Sequence, residues 1–170
     1  MTDGCRLTGA SKIVSAPEAQ ERAAEWRRAG KTVAYTNGCF DVIHAGHVRT
    51  LAFARGQADA LIVGINSDDS ARRLKGSGRP IMPEQERAEI LAALACVDLV
   101  VIFPELSSLP TIQALRPEVW VKGGDYDLST VHQEERTLVE SYGGRVAIAD
   151  RVGGVSTTEI IARIRCLPEG

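Results

Sequence analysis

Between positions 31 and 165, five short runs of unbroken apolarity alternate with stretches of helical period. No other feature of the 170-residue chain constrains its fold as tightly. The runs cover 32–36, 60–65, 99–103, 119–121 and 145–149. The spacing predicts helices over 47–55, 69–74, 84–97, 109–115, 134–142 and 157–165. Runs that do not alternate with polar residues are buried on both faces. A helix between consecutive strands makes a right-handed crossover. The fold class is therefore α/β, an open parallel sheet of about five strands with flanking helices. Aromatic residues are only 5% of the chain, so Val, Ile, Leu and Ala fill the core.

Ahead of the first run, Ser15-Ala16-Pro17-Glu18 reads as a capping box opening an Ala-rich helix that ends near Gly30. Residues 1–14 read as a polar lead-in and 15–170 as one domain. Twenty Lys and Arg against 22 Asp and Glu give a net charge of −2, a balance that excludes a nucleic-acid partner. No apolar run approaches the roughly 20 residues needed to cross a bilayer, so no membrane partner is expected. Cys5, Cys39, Cys96 and Cys166 form no C-x-x-C pair and read as reduced thiols of a cytoplasmic protein.

In open α/β sheets ligands sit beyond the carboxyl ends of the strands, so the loops that follow the runs carry the chemistry. The first such loop reads Thr36-Asn-Gly-Cys-Phe-Asp-Val-Ile-His-Ala-Gly-His47. An H-x-G-H string arises by chance in roughly 0.5% of chains of this composition, and here it falls on a strand-to-helix turn. A helix starting near Gly46 presents unpaired N–H groups and its positive dipole end, which attract phosphate oxygens. Gly38 and Gly46 lack a Cβ and admit a close approach. His44 and His47, three apart, share one face and can both donate to one polyphosphate. Two other readings compete: a buried structural histidine, and a zinc site made by Cys39, His44 and His47.

Three further loops agree. After the second run, Asn66-Ser67-Asp68 leads to a basic, glycine-flanked segment from Lys75 to Arg79 suited to closing over phosphates, with a solvated surface loop as the competing reading. Ser67 or Asp68 would cap the short helix there. The fourth run ends in Lys122-Gly123-Gly124-Asp125-Tyr126, where a double glycine lets a flat group lie on the backbone. The fifth leads through Val152 to Ser156-Thr157-Thr158 at a helix start, a second anion site.

With these strings together, the chain from about 15 to 165 resembles the cytidylyltransferase-like nucleotidyltransferases. It is most similar to the heptose-1-phosphate adenylyltransferase domain of ADP-heptose synthesis. The resemblance implies a Rossmann-like fold and Mg²⁺-dependent transfer of AMP from ATP to a sugar 1-phosphate, releasing pyrophosphate. D-glycero-D-manno-heptose 1-phosphate is the implied acceptor, and a homodimer the implied assembly. By matching positions, His44, His47, Lys75 and Arg79 would be the catalytic group. Thr36, Asn37, Gly38, Cys39, Phe40 and Gly46 would line the nucleotide and phosphate path, with Asp41 supporting the loop. Lys122, Gly123, Gly124 and Asp125, then Val152, Ser156, Thr157 and Thr158, would complete it. Asn66, Asp68 and Tyr126 would meet the substrate, and no side chain is implied as a metal ligand. Two alternatives remain open: a CTP-dependent cytidylyltransferase acting on glycerol phosphate or another alcohol phosphate, and a non-catalytic nucleotide-binding module.

Overall fold

The structure, a computed structural model, describes residues 9–123, 126–150 and 156–167. Its strands are β1 (Val33–Gly38), β2 (Ala60–Asn66), β3 (Leu99–Phe103), β4 (Val119–Lys122) and β5 (Arg145–Ile148). They form one sheet in the order β3-β2-β1-β4-β5, every pair parallel. The helices are α1 (Ala16–Arg28), α2 (Ala45–Arg55), α3 (Asp68–Lys75), α4 (Glu84–Ala93), α5 (Leu109–Leu115), α6 (Gln133–Ser141) and α7 (Thr157–Arg165). The expected α/β class and its open parallel sheet are what the chain adopts. Ser15 and Glu18 form the reciprocal capping box at the start of α1, and Ser67 caps α3.

Most boundaries lie within two residues of the sequence reading, and two of the differences have a clear physical reason. β1 runs two residues further, because Asn37 and Gly38 stay in register with Gly64 and Ile65 of β2. The helix expected over 84–97 stops at Ala93. The Lys12 ammonium donates to the carbonyls of Leu94 (3.2 Å) and Val97 (2.7 Å), and Leu94 turns extended there. The same lysine ties the lead-in to the sheet: residues 9–12 form a 3-10 turn, Ile13 bridges to Val100, and Val14 N–H donates to Val100 O. Those contacts cover the edge that β3 would otherwise expose.

The sheet is buried on both faces, as its continuous apolarity requires. Ala34, Leu61, Val63 and Val121 pack against Leu51 of α2 and Leu91 of α4. Tyr35, Ile62 and Trp120 pack on the other face against α1, Ile112 of α5 and Val139 of α6. Gly64 belongs to this packing, since a Cβ there would collide with the Tyr35 hydroxyl. Among the described residues no helix is long and apolar enough to cross a membrane, and Cys39, Cys96 and Cys166 carry no disulfide.

From β1 the chain passes through α2 to β2 on one side, while β4 lies on the other. A crevice therefore opens where the carboxyl ends of β1 and β4 diverge. A strut under that crevice was not foreseen. Arg87 of α4 is fully buried. Its guanidinium donates to the carbonyls of Cys39 (2.5 Å), Asn66 (2.9 Å) and Met82 (3.0 Å), and to Asp68 Oδ1 (2.7 Å). One planar cation thus fixes the ends of β1 and β2 to the start of α4. Arg87→Met, which leaves these acceptors buried without donors, is expected to lower unfolding stability in urea by about 3–5 kcal/mol. Arg87→Lys should recover less than half of that, because a single ammonium cannot reach the same spread of acceptors. A loss below about 1 kcal/mol in Arg87→Met would show the strut to be dispensable.

Candidate active site

The turn leaving β1 contains two non-glycine residues with left-handed backbone, Phe40 and Val42, both at φ 48. Such residues each cost about 1–3 kcal/mol and persist only where their surroundings over-determine them. Here they do. The Asp41 carboxylate accepts Ile81 N–H (3.0 Å), Met82 N–H (3.0 Å) and the Arg79 guanidinium (2.8 Å). Thr157 Oγ1, at the start of α7, donates to Asp41 O at 2.7 Å, and Arg87 holds the Cys39 carbonyl. Burial alone would raise the Asp41 carboxyl, but the Ile81 and Met82 amides and Arg79 hold it below the usual range.

The braced turn delivers two histidines to the first turn of α2. Their rings stack at 3.9 Å between centroids with an interplanar angle of 29°, and Phe40 packs against His47 at 5.3 Å. His44 is the N-cap of α2. Its Nδ1 accepts Gly46 N–H (3.1 Å), while His44 N–H donates to His47 Nδ1 (3.4 Å). The expectation of an unpaired Gly46 amide is thereby corrected, because the histidine side chain takes it. The consequence for the rings is specific. With both Nδ1 atoms accepting, each neutral ring carries its proton on Nε2 and keeps that N–H to donate. Burial, then the neighbouring His44 charge, pushes His47 down to about 4, and burial lowers His44 as well. At neutral pH both rings are uncharged donors.

Both rings are partly exposed and open on a cavity of about 620 Å³ over the carboxyl ends of β1 and β4. Thr36, Asn37, Gly38, Cys39, Phe40 and Gly46 line it beside them, as the sequence suggested. Ser156, the cap of α7, and Thr157 close one side. Asn66 and Lys75 close another, and Lys75 has no ion-pair partner among the described residues. Lys122, Gly123 and Tyr126 form the far wall. Lys122 is 6% exposed, donates to Asn37 Oδ1 at 3.1 Å, and lies 5.4 Å from the Tyr126 ring. Burial depresses its ammonium, and the Glu135 carboxylate opposes that shift.

Four of the expected site residues, Asp41, Asp68, Arg79 and Thr158, stand off the larger cavity. Asp68 is not on the cavity wall, because its carboxylate is the partner of buried Arg87. Arg79 lines a smaller adjoining cavity of about 200 Å³ with Thr158, and Asp41 neutralises its charge. Gly124, Asp125 and Val152 lie outside the described residues. The zinc arrangement is not formed, since the Cys39 thiol is turned to Asn66 Oδ1 (3.7 Å) and both histidine Nδ1 atoms are engaged. Among the described residues no three His, Cys, Asp or Glu side chains come together to hold a metal.

Sequence reasoning missed part of the wall, notably Leu106, His132 and Glu135. Glu135 had a legible signal. It stands four residues from Val131 and from Val139, both buried, so it is an acid on the apolar face of its helix. His132 and Leu106 carry no such signal.

Comparison with known proteins agrees with this geometry. A family model described as cytidylyltransferase-like matches residues 35–163. The bifunctional protein HldE of Syntrophotalea carbinolica is 59% identical over 138 residues, covering 81% of this chain and 28% of that protein. The HldE of Acidiphilium cryptum is 50% identical over 154 residues, covering 91% and 31%. The chain thus spans less than a third of the length of these relatives. A lipopolysaccharide core biosynthesis protein from Thermoplasma volcanium superposes with a TM-score of 0.59 at 24% identity, over 74% of this chain and all of that one. Pantoate-beta-alanine ligase from Francisella tularensis gives 0.61 at 13% identity, over 90% and 76%, a likeness of fold alone. With the family match spanning both histidines and every strand from the middle of β1 onward, the chain belongs to the cytidylyltransferase-like family.

Proposed function

We propose that the protein transfers AMP from ATP to a sugar 1-phosphate, with D-glycero-D-manno-heptose 1-phosphate as acceptor, giving ADP-heptose and pyrophosphate. The observation that carries this reading is the stacked pair of imidazoles facing the cavity, each with Nδ1 committed to the main chain and Nε2 left to donate. In the reaction an acceptor phosphate oxygen attacks the α-phosphorus in line. The new P–O bond forms as the bond to the bridging oxygen of the departing pyrophosphate breaks. The acceptor phosphate is already ionised at neutral pH, so no base is required. Donors aimed at charge growing on the leaving group are what the chemistry needs. His44 and His47 fill that role, Lys75 supplies the cation beside them, and Ser156 donates its hydroxyl from the start of α7, while that of Thr157 stays on Asp41 O.

Magnesium, which the resemblance implies, would neutralise phosphate charge when bound. Asp41, the acid nearest the histidines in sequence, has both carboxylate oxygens taken. The ion would therefore be held by phosphate oxygens, as its preference for few protein ligands allows. No step above depends on it. The enzyme is expected to act as a cytoplasmic homodimer.

A panel of ATP, CTP and GTP crossed with sugar 1-phosphates and glycerol phosphate, read as pyrophosphate release, tests the reading. ATP with the heptose 1-phosphate is expected to be fastest. Preference for CTP with glycerol phosphate would shift the function to a cytidylyltransferase, and nucleotide binding without any release would leave a binding module. His47→Ala is expected to lower kcat about 10²–10³-fold while the KM for ATP moves far less. Near-normal turnover in that variant would remove the role given to the ring. The depressed His47 also predicts a pH signature without substrate. Its ring binds a proton near pH 6.5 in the unfolded chain but only near 4 when folded. Stability is therefore full above pH 6.5 and falls as pH drops towards 4. Between those limits the wild type should lose about 1–3 kcal/mol more than His47→Gln in urea titrations. Equal slopes would show the ring to be solvated.

A further inference from the structure

We propose that Glu135, at the end of the cavity remote from the histidines, is the specificity-determining residue for the acceptor, its free oxygen taking a hydroxyl of the sugar. This deepens the proposed transfer reaction and rests on it. Glu135 lies on the cavity wall, yet only 2% of its surface is exposed. Its Oε1 accepts the Ser107 hydroxyl (2.9 Å) and the Ser108 N–H (2.8 Å) and hydroxyl (3.0 Å). Its Oε2 is buried and has no hydrogen-bond partner among the described residues. A carboxylate oxygen withdrawn from water without a donor is costly, and such an orphan is rarely left unmatched. Three donors hold one oxygen in place while the other is kept vacant. That arrangement suits recognition of a neutral donor group such as a sugar hydroxyl.

The position of the residue says which substrate it meets. α2, with the histidines, packs on one face of the sheet, and α6, with Glu135, on the other. Alternation along the strands places Asn37, Trp120 and Lys122 on the α6 side, where Asn37 Oδ1 accepts Trp120 Nε1–H and the Lys122 ammonium, both at 3.1 Å. The cavity crosses the ends of β1 and β4 from one face to the other. In-line displacement puts the attacking phosphate opposite the leaving pyrophosphate. With pyrophosphate held at His44 and His47, the acceptor enters from the α6 face. Lys122 there meets an anionic phosphate, and Glu135 meets the hydroxyls attached to it. Glu135 also rejects acceptors without a matching hydroxyl, because they would leave its oxygen unpaired.

Glu135→Gln tests this, since the amide keeps an acceptor for the two serines but replaces the vacant acceptor with a donor. The KM for D-glycero-D-manno-heptose 1-phosphate is expected to rise roughly ten- to hundredfold, while the KM for ATP stays within about twofold. Monodeoxy analogues of the acceptor supply a contrast that a merely structural role would not produce. One of them should bind wild type roughly tenfold or more weakly than the parent sugar, yet bind Glu135→Gln no worse than the parent does. A raised KM for ATP alone would assign the oxygen to the nucleotide ribose and overturn the proposal, as would additive losses across every analogue. Calorimetric titration of the heptose 1-phosphate, with a non-hydrolysable ATP analogue present, reads the same contrast without turnover. A chain that releases no pyrophosphate would thus defeat the transfer reaction alone, whereas equal binding by wild type and variant would defeat the role of Glu135. Should Glu135→Gln fail to fold, Glu135→Asp withdraws the oxygen by one methylene, and the same outcomes apply.

Discussion

Two buried or nearly buried charges of opposite sign hold the turn on which the site is built. Between β1 and α2 the backbone has no ladder to satisfy its polar groups, and Phe40 and Val42 sit in strained conformations. Arg87 gathers carbonyls from this turn, from the end of β2 and from Met82, while Asp41 gathers the amides of Ile81 and Met82. The two side chains interlock through the same short segment, one supplying donors and the other acceptors. Neither is replaceable by packing alone, because an unpaired buried carbonyl or amide costs more than the contact returns. The histidines inherit their position from this arrangement.

The distribution of charge follows from it. Arg79, which lines the smaller cavity, is paired with Asp41 and helps hold the turn. Among the described residues, the cations that face the larger cavity are Lys75 and Lys122. The two imidazoles on the same cavity wall are kept neutral by burial. Stacked at 3.9 Å, the rings could not both be charged without mutual repulsion. Neutral donors bind a resting triphosphate less strongly than cations would. In the proposed transfer they gain most as charge accumulates on the departing oxygen, and a gain confined to the transition state is what raises turnover.

How far all this was legible in the sequence depended on whether a property is local. Strands showed as runs such as Leu99–Phe103, because burial on both faces removes alternation, and the turn after β1 showed because two histidines and two glycines fell together. Capping at Ser15 and Ser67 was equally local. Charged side chains were not. Asp68 and Arg79 read as ligands of phosphate or sugar, but their partners are Arg87 and Asp41, 19 and 38 positions away. A pairing of that kind is set by tertiary packing, and composition leaves no trace of it. Arg87 and Glu135 left only the faint mark of a charge on an apolar helix face, spaced four residues from Leu91 and Val139 respectively.

For the proposed transfer, the strand order lets one cavity serve two anionic substrates. At a topological switch point the helices following neighbouring strands leave to opposite faces, so the crevice between them is open from both sides. A sheet wound in one direction only would present both substrates on the same face, with their charges side by side and the attacking oxygen badly placed. Here β1 and β4 diverge, α2 carries its donors to one face, and α6 carries Glu135 to the other. The sheet edge between them, with Thr36 and Asn37 pointing to opposite sides, is where a phosphorus atom can be approached from one direction and left in the other. The geometry that the proposed displacement needs is thus a consequence of strand order before any catalytic side chain is considered.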